Sequence, residues 1–307
     1  MKTLSPLFFL ICLFLATDAF GLDYLNGFER LKESGNSAEI QAFLAKSAQT
    51  EKENPDYYAT AGNYWWQLSQ SVSITTKPSE GSDFSVRDQK SGKEVGSIST
   101  VGQTNPEIPK KALEILSEGA RRFPHRADIV LGLAHIQQEM GLQSDCVQTL
   151  MNLLSISGEK LESLLWSKNA SLPSEANLFI PEAIQGYSAG LYRAETAEGD
   201  KLCRKLCDAT IKAFPEHPFA YNMKAALATA HGNQEKATEY LEMALSRAPK
   251  DPLILLNLGD AYRKAGEDTK AVETYSKVEA LNGIDESLKN QARESKKQVE
   301  QDDSGNG

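Results

Sequence analysis

The chain has 307 residues, of which 40% are hydrophobic and 24% are charged, the proportions of an ordinary globular protein. Its formal net charge is −9, so it offers no basic surface to neutralise the phosphates of a nucleic acid or to bind an anionic membrane. The composition therefore argues against a nucleic-acid partner.

The N-terminus has the pattern of a secretory signal peptide. One positive residue, Lys2, precedes an unbroken apolar run over residues 7–16, and small residues allow cleavage after Ala19 or after Gly21. The run is far shorter than the roughly 20 apolar residues of a membrane-spanning helix, and no later segment has the length or apolarity to span a bilayer. We predict a signal peptide over residues 1–21 and export, to the periplasm in a bacterium and otherwise to the secretory lumen or extracellular space.

The predicted mature chain begins with the N-terminal helices of an array, over residues 22–68. Apolar residues recur at helical spacing on both sides of a Gly35-Asn36 turn, which predicts a first hairpin of two helices. The next helix, over residues 54–68, carries the densest aromatic cluster of the chain: Tyr57, Tyr58, Tyr64, Trp65 and Trp66.

Residues 69–109 differ in composition from the helices on either side. They are rich in Ser, Thr and Gly, and two segments that resemble strands, 84–88 and 94–99, flank a turn signal at residues 90–93. This pattern predicts an inserted β-hairpin, with a disordered loop as the alternative. Such insertions project from one face of a helical array and often contact the partner.

Less regular helices are predicted over residues 110–180. The first, over residues 110–123, has the residue spacing expected of a partner for the helix at 54–68, so the insertion would separate two helices of one hairpin. Another hairpin, with a turn at Gly141, follows.

Two segments then break the hairpin pattern. Residues 160–166 have the apolar spacing of an extra amphipathic helix, and residues 169–175 form a predicted loop. Hairpins are predicted to resume at Pro181, which lies 34 residues before Pro215.

The clearest regularity lies in residues 181–285, where a motif repeats every 34 residues. Equivalent residues of its last two copies are Pro218 and Pro252, Gly232 and Gly266, Lys236 and Lys270, Ala237 and Ala271, and Leu241 and Tyr275. A fixed period of this size is the signature of stacked helical hairpins. The strongly charged segment after it, residues 286–307, predicts a solvated cap helix followed from residue 301 by a disordered tail.

The last copy of the motif contains Leu258-Gly259, Tyr262, Ala271 and Tyr275. These residues resemble the pattern of the tetratricopeptide repeat (TPR) family. The resemblance implies an all-α fold, a right-handed α-solenoid of TPR-like helical hairpins that carries the small β-hairpin or loop insertion. It also implies a non-catalytic scaffold or adaptor that binds a protein or peptide in a concave groove, here outside the cytoplasm.

In TPR proteins the first helix of each repeat lines the groove. Carried over by register, this role falls on seven residues: Asn63, Trp66, His135, Tyr192, Asn222, Asp260 and Arg263. Adjacent residues cannot share one helix face, so Trp65 is expected inward and Trp66 on the groove, where aromatic side chains often dominate binding. The Lys and Asn pattern that grips a C-terminal carboxylate is absent, because Leu256 and Asp260 take two of its places.

The cysteine and histidine residues do not form a recognisable chemical site. Cys146, Cys203 and Cys207 lie where the repeat has buried side chains, so we expect them to pack in the core. The four histidines lack the short spacing of paired metal ligands, and no nucleotide-binding, serine-hydrolase or zinc-protease motif occurs. The sequence predicts no catalytic residue, no metal and no cofactor.

Two other functions stay open at this stage. An enzyme, or a subunit that completes one, could use the insertion at residues 69–109 as a lid, which requires titratable side chains to converge in a cleft. A glycan-binding envelope protein could use Trp65, Trp66 and Trp166, which requires the three rings to be exposed together.

Overall fold

The computed structural model describes residues 19–77, 84–173 and 175–305. Most of the predicted signal peptide, residues 1–18, lies outside the described residues. The chain divides into two compact units: Met1–Ile129 with Leu165–Ser171, and Val130–Leu164 with Leu172–Gly307. The predicted all-α fold with a small β insertion is confirmed. Within the described ranges, no helix combines the length and apolarity needed to cross a membrane.

The first unit contains helices, three strands and the beginning of helix α6. Its elements are α1 (Ala19–Ser34), α2 (Ser37–Thr50), α3 (Pro55–Ser69), β1 (Val72–Thr75), β2 (Phe84–Arg87), β3 (Glu94–Thr100), α4 (Val101–Thr104), α5 (Glu107–Arg122) and the start of α6 (Ala127–Glu139). The Asn54 side chain caps α3 by accepting a hydrogen bond from the Asp56 N–H. The core between α1 and α3 is aromatic, with Tyr24 in edge-to-face contact with Tyr57.

Helices α3 and α5 form one hairpin although the insertion separates them in sequence, as predicted. They approach closely where one of them carries a glycine. A Cβ on Gly62 of α3 would lie 2.4 Å from Leu116 Cγ, and a Cβ on Gly119 of α5 would lie 2.6 Å from Tyr58 Cβ. Leu116 and Tyr58 therefore fill the space that each glycine leaves, and this reciprocal packing closes the hairpin without a short connection.

The insertion folds as a three-stranded antiparallel sheet in the strand order β1-β3-β2. The predicted pairing of β2 with β3 is present, with Phe84 opposite Ile98 and Val86 opposite Gly96. Strand β1 pairs with the other edge of β3 and places Ile74 opposite Ile98. The alternative prediction of a disordered loop is wrong for the described part of the insertion.

A buried arginine, Arg126, organises the rest of the first unit. Its guanidinium donates to Asp56 Oδ1 of α3 at 2.6 Å and to the two Asp128 oxygens at 2.9 and 2.8 Å. The same Asp56 oxygen accepts a hydrogen bond from the Lys168 N–H at 3.0 Å, and Arg126 also donates to Asn169 Oδ1 at 3.4 Å. Two carboxylates thus balance one buried cation and tie α3 and the start of α6 to the segment around Lys168.

The structure corrects the prediction of an extra helix over residues 160–166. The preceding helix ends at Lys160, and after one 3₁₀ turn the backbone becomes extended. The Leu165 N–H donates to the His125 carbonyl at 2.8 Å, and the Leu165 carbonyl accepts from the Ala127 N–H at 2.9 Å. These main-chain bonds to a distant segment satisfy the backbone and override the helical pattern of the apolar residues.

The second unit is a stack of helical hairpins. Its elements are the rest of α6, α7 (Gln143–Lys160), α8 (Ala176–Arg193), α9 (Ala197–Ala213), α10 (Phe219–Ala230), α11 (Gln234–Arg247), α12 (Pro252–Lys264), α13 (Asp268–Glu279) and α14 (Glu286–Gly305). The turns at Gly141, Gly232 and Gly266 share one geometry, with φ between 72° and 74° at each glycine. In the last of them the Glu267 N–H donates to the Tyr262 carbonyl at 2.9 Å, as in a Schellman cap.

Helix α8 begins at Ala176, earlier than the start predicted at Pro181. The proline therefore lies inside the helix and removes one helical hydrogen bond. Ile180 and Pro181 are both buried, and this packing compensates for the missing bond.

Helices α12 and α13, the better copy of the repeat, pack around Gly259. A Cβ at this position would lie 2.5 Å from Cε1 of Tyr275. Tyr275 is fully buried, and its hydroxyl donates to Asp260 Oδ1 at 2.5 Å. Tyr275 thus takes the place that Leu116 occupies in the hairpin of α3 and α5.

The final helix, α14, continues the 34-residue register as the first helix of another repeat. Asp285 caps it by accepting from the Ser287 N–H at 2.8 Å. Asp251, 34 residues earlier, caps α12 by accepting from the Leu253 N–H at 2.9 Å. The two helices therefore begin in the same way.

The packing face of α14 differs from that of α12. Arg293 stands where α12 has Gly259; it is exposed and pairs with Glu279 at 3.5 Å. A long charged side chain is tolerated because no described helix packs on that face, so α14 is a solvated cap. The helix reaches Gly305, which corrects the tail predicted to be disordered from residue 301, because no proline or glycine interrupts it earlier.

Replacing Gly259 by alanine is expected to destabilise the second unit by about 1–3 kcal/mol, because the new methyl group overlaps the buried Tyr275 ring. The matched control is Gly186→Ala in α8, where a Cβ meets no atom within 4 Å. The control should stabilise the protein by about 0.5–1 kcal/mol, since alanine favours helix more than glycine. Urea unfolding followed by circular dichroism measures both changes. Equal stability of Gly259→Ala and the wild type would refute the packing constraint.

Replacing Arg126 by glutamine is expected to destabilise the first unit by about 3–5 kcal/mol, because it leaves Asp56 and Asp128 buried without their cation. Arg121→Gln is the control, since Arg121 forms a surface pair with Glu118 that contributes roughly 0–1 kcal/mol. Hydrogen exchange of the α3 amides reports the difference. Unchanged exchange in Arg126→Gln would contradict a structural role for the buried cation.

Candidate partner-binding surface

The exposed large apolar side chains of the described residues are concentrated on the inserted sheet. Five of them lie there: Val72, Ile74, Phe84, Val86 and Val95. The register places both Ile74 and Phe84 opposite Ile98, so these three side chains share one face. Ile74 and Phe84 are 74% and 70% exposed. Contiguous apolar surface of this kind marks interaction sites.

The opposite face of the sheet carries hydroxyl side chains, and those of its central strand β3 are buried. Ser97 and Ser99 are only 1% and 2% exposed, and the hydroxyls of Ser97 and Thr75 lie 2.9 Å apart. An antiparallel sheet with one solvated face commonly buries its apolar side. Here the usual arrangement is reversed, which leaves the apolar face accessible.

Helix α3 carries two of the seven predicted groove residues, Asn63 and Trp66, and both are half-buried. Trp65 is buried, and the Lys111 ammonium lies 3.7 Å from the centroid of its ring. Burial lowers the pKa of Lys111. Because Trp65 is buried, it is not exposed together with Trp66 and Trp166, as the glycan-binding alternative requires.

The other five predicted groove residues lie in the second unit and are also half-buried: His135, Tyr192, Asn222, Asp260 and Arg263. The Asn257 side-chain N–H donates to Asn222 Oδ1 at 3.0 Å, which links α12 to α10. Burial, followed by the hydrogen bond to Asp260, raises the pKa of Tyr275. Because the seven residues divide between two compact units, they form two surfaces that are described separately.

Sequence reasoning missed parts of both surfaces. It did not identify four apolar residues of the insertion as contact residues: Val72, Ile74, Phe84 and Val86. Their alternation with hydroxyl residues was a usable signal, but it does not say which face is buried. Asn257 was missed because the 34-residue register equates it with Met223, which is buried.

The three cysteines described are buried free thiols, as predicted. Cys203 donates to the Ser188 carbonyl at 3.3 Å. The hydrogen bond that links Cys207 to Cys203 raises the pKa of Cys207, as burial also does, and lowers the pKa of Cys203. Burial raises the pKa of Cys146 to about 12. The Cys146 and Cys207 thiols therefore remain protonated, and all three cysteines pack as small apolar side chains.

One histidine, His231, lies beside a carboxylate in a shallow depression of the second unit. Its Nε2 is 2.8 Å from Asp200 Oδ2. The depression is also lined by Ala197, Lys201, Arg204, Lys205 and Asp208. These side chains include no hydroxyl or thiol nucleophile, and in the part of the chain that the structure describes no three His, Cys, Asp or Glu side chains converge as metal ligands. The pair acts as a contact between α9 and the end of α10.

Comparisons with known proteins were made for the sequence and for the fold. Residues 253–284, which form α12 and α13, match the family model of the tetratricopeptide repeat. No curated protein matches the chain.

Similar solved structures include TTC0263, a thermophilic TPR protein of Thermus thermophilus, with 16% identity over 64% of this chain and 94% of that chain, and a TM-score of 0.38. Pseudomonas aeruginosa pilF has 14% identity over 65% of this chain and 84% of its own, with a TM-score of 0.39. Acl4, described as the assembly chaperone of RpL4, has 12% identity over 94% and 99% of the two chains, with a TM-score of 0.43.

These TM-scores are all below 0.5, so no conclusion rests on the superpositions. The assignment of a repeat to α12 and α13 rests instead on the family-model match and on the geometry of the hairpin. In this hairpin Gly259 leaves room for the Tyr275 ring, and Gly266 caps the first helix. Residues 253–284 therefore form a tetratricopeptide repeat.

Proposed function

We propose that this protein is a non-catalytic scaffold or adaptor that binds a protein or peptide partner, with the inserted sheet as its main contact surface. The observation that carries the proposal is the apolar face around Ile74 and Phe84, which is exposed to solvent while Ser97 and Ser99 on the other face of the central strand are buried. Apolar side chains grouped in this way gain free energy when another molecule covers them.

The apolar face is large enough to anchor a specific contact. Fully burying a Val, Ile or Phe side chain contributes about 1.5–3 kcal/mol, so covering Ile74 and Phe84 supplies several kcal/mol against the cost of association. The sheet is also held at its base, where α4 packs so closely on α3 that a Cβ at Gly102 would lie 2.7 Å from the Ser69 carbonyl oxygen. A restrained surface loses less conformational entropy when it binds.

In this proposal the first helices of the repeats provide further contacts, on a separate surface in each unit. Trp66 on α3 offers a partly exposed aromatic ring, while α10 and α12 offer polar side chains that already bond to one another, such as Asn222 and Asn257. Polar groups at an interface contribute more to specificity than to affinity. The helical surfaces would therefore select the partner that the sheet anchors.

We further propose that the protein acts outside the cytoplasm, in the periplasm of a bacterium or otherwise in the secretory lumen or extracellular space. The support is the Lys2 and apolar-run pattern of the first 21 residues. Cleavage after Ala19 or Gly21 would also leave intact the described core, whose first buried residue is Tyr24.

The double variant Ile74→Ser/Phe84→Ser is expected to lower recovery of the partner at least roughly tenfold, because it removes two anchors worth more than about 1.4 kcal/mol together. Recovery is measured by affinity capture from the source cells with quantitative mass spectrometry. The matched control is Leu178→Ser/Met243→Ser, which removes two exposed apolar side chains outside the sheet and should retain the partner.

Circular dichroism establishes that both variants are folded. Equal recovery of the partner by the two double variants would contradict the sheet as the main contact surface. If Trp66→Ala loses the partner instead, the main contact surface lies on the helices. No partner enriched by the wild type would contradict the scaffold function.

The exported protein is expected to begin at Phe20 or Leu22, the residues that follow the two cleavage points. N-terminal mass spectrometry of the periplasmic or secreted fraction identifies which. Leu10→Arg, which interrupts the apolar run, should leave the full-length chain in the cytoplasm. Wild-type protein that is found in the cytoplasm and still begins at Met1 would contradict export.

A further inference from the structure

We propose that the open edge of strand β2 binds an extended segment of the partner as a fourth strand of the inserted sheet. This segment has an apolar residue at every second position and acidic residues at one end. This inference rests on the proposed function, because it names the chemistry of the partner at that surface. Four observations carry it: peptide groups that point outward from β2, the apolar face around Ile74 and Phe84, an edge on which no described strand pairs, and the charges at the adjoining turn.

The hydrogen bonds at the ends of the strands define which peptide groups face outward. The Asp88 N–H donates to the Lys93 carbonyl at 2.9 Å, so Asp88 faces β3. Peptide groups of an antiparallel strand alternate in direction, and therefore Val86 and Phe84 also face β3. Ser85 and Arg87 turn their N–H and C=O groups to the open edge.

The other side of the sheet supports the same assignment. The Val101 N–H donates to the Ser71 carbonyl at 2.7 Å, so the alternating residues Ser99 and Ser97 of β3 face β1. Their neighbour Ile98 then faces β2, as the pairing of Ile98 with Phe84 requires. The backbone directions of all three strands are thus consistent.

The outer edge of strand β2 is accessible to another strand. All four of its residues are exposed, none is proline, and no described strand pairs with its outer side. The irregularity in the ladder lies between Val86 and Arg87, opposite the unpaired Val95 of β3, so the first three residues of β2 remain regular. An exposed, regular edge of this kind is a template for an added strand.

The turn after β2 favours an acidic partner. Together with Arg87 at the end of β2, the turn brings three cations, Arg87, Lys90 and Lys93, against two carboxylates, Asp88 and Glu94, in a chain whose net charge is −9. The Arg87 side chain is exposed and lies 3.8 Å from Glu94, too far for a strong pair. The carboxylate of Asp88 accepts bonds from the Ser91 N–H and hydroxyl at 2.8 and 2.7 Å, which lower the pKa of Asp88.

The side chains along β2 define what the added strand must present. Its residues beside Phe84 and Val86 would extend the apolar face, and those beside Ser85 would lie on the other face, next to a small side chain. Its end nearest Arg87 would carry the acidic residues. A second copy of this chain is the less favoured occupant, because two four-residue strands side by side bury far less than the roughly 1,200 Å² of a stable interface.

The test is selection of a phage-displayed library of random 12-residue peptides on the full-length chain, followed by fluorescence anisotropy with the enriched peptides. We expect enriched sequences in which apolar residues alternate and Asp or Glu lies at one end. Ser85→Pro removes an outward N–H without removing a bond to β3 and should weaken binding at least roughly tenfold. Ser85→Ala, which keeps the N–H, should bind within about twofold of the wild type.

The charge is tested separately with Arg87→Gln/Lys93→Gln, which should weaken binding several-fold at low salt and less at high salt. No enrichment, enriched peptides without this pattern, or equal binding by Ser85→Pro and Ser85→Ala would overturn strand addition. If Ile74→Ser/Phe84→Ser abolishes partner capture while Ser85→Pro does not, the proposed function stands and strand addition alone fails. If light scattering shows a dimer that Ser85→Pro abolishes, a second copy of this chain supplies the added strand. This result would overturn the proposal of an acidic peptide.

Discussion

The close approach of two helices at a glycine is the constraint on which both units depend. In the second unit Gly259 leaves room for the buried ring of Tyr275, and in the first unit Gly62 leaves room for Leu116. A larger side chain at either glycine would separate the helices and open a densely packed core. The exposed Arg293 of α14 illustrates the same rule, because it occupies the glycine position where no described helix has to fit.

Because packing closes the hairpin of α3 and α5, its connection is free to be long. Replacing a turn of a few residues by residues 70–106 costs only about 2 kcal/mol of loop-closure entropy. The buried Arg126 network supplies further restraint, since it holds the N-terminal end of α3 through Asp56. The repeat architecture can therefore carry a sheet without losing the hairpin that supports it.

The inserted sheet is the surface to which we assign partner binding. Its buried face consists of hydroxyl side chains such as Ser97 and Ser99, while Ile74 and Phe84 face water. The exposed apolar face contributes little hydrophobic free energy to folding, whereas a partner that covers it gains that free energy on binding. The polar contacts on α10 and α12 and the ring of Trp66 offer further surfaces for selection, in keeping with the proposed protein-interaction scaffold.

By itself, the sequence determined the helical hairpins, since period and glycine placement are local properties: the 34-residue spacing identified α10 to α13, and Gly232 and Gly266 marked their turns. It also paired α3 with α5 across the insertion and placed the cysteines in the core. Only the tertiary structure decided that residues 160–166 are not helical, because Leu165 forms main-chain hydrogen bonds with His125 and Ala127. It also decided that Pro181 lies inside α8. It also decided which face of the sheet is buried, because alternation defines two faces of a strand but only packing against the rest of the chain chooses between them.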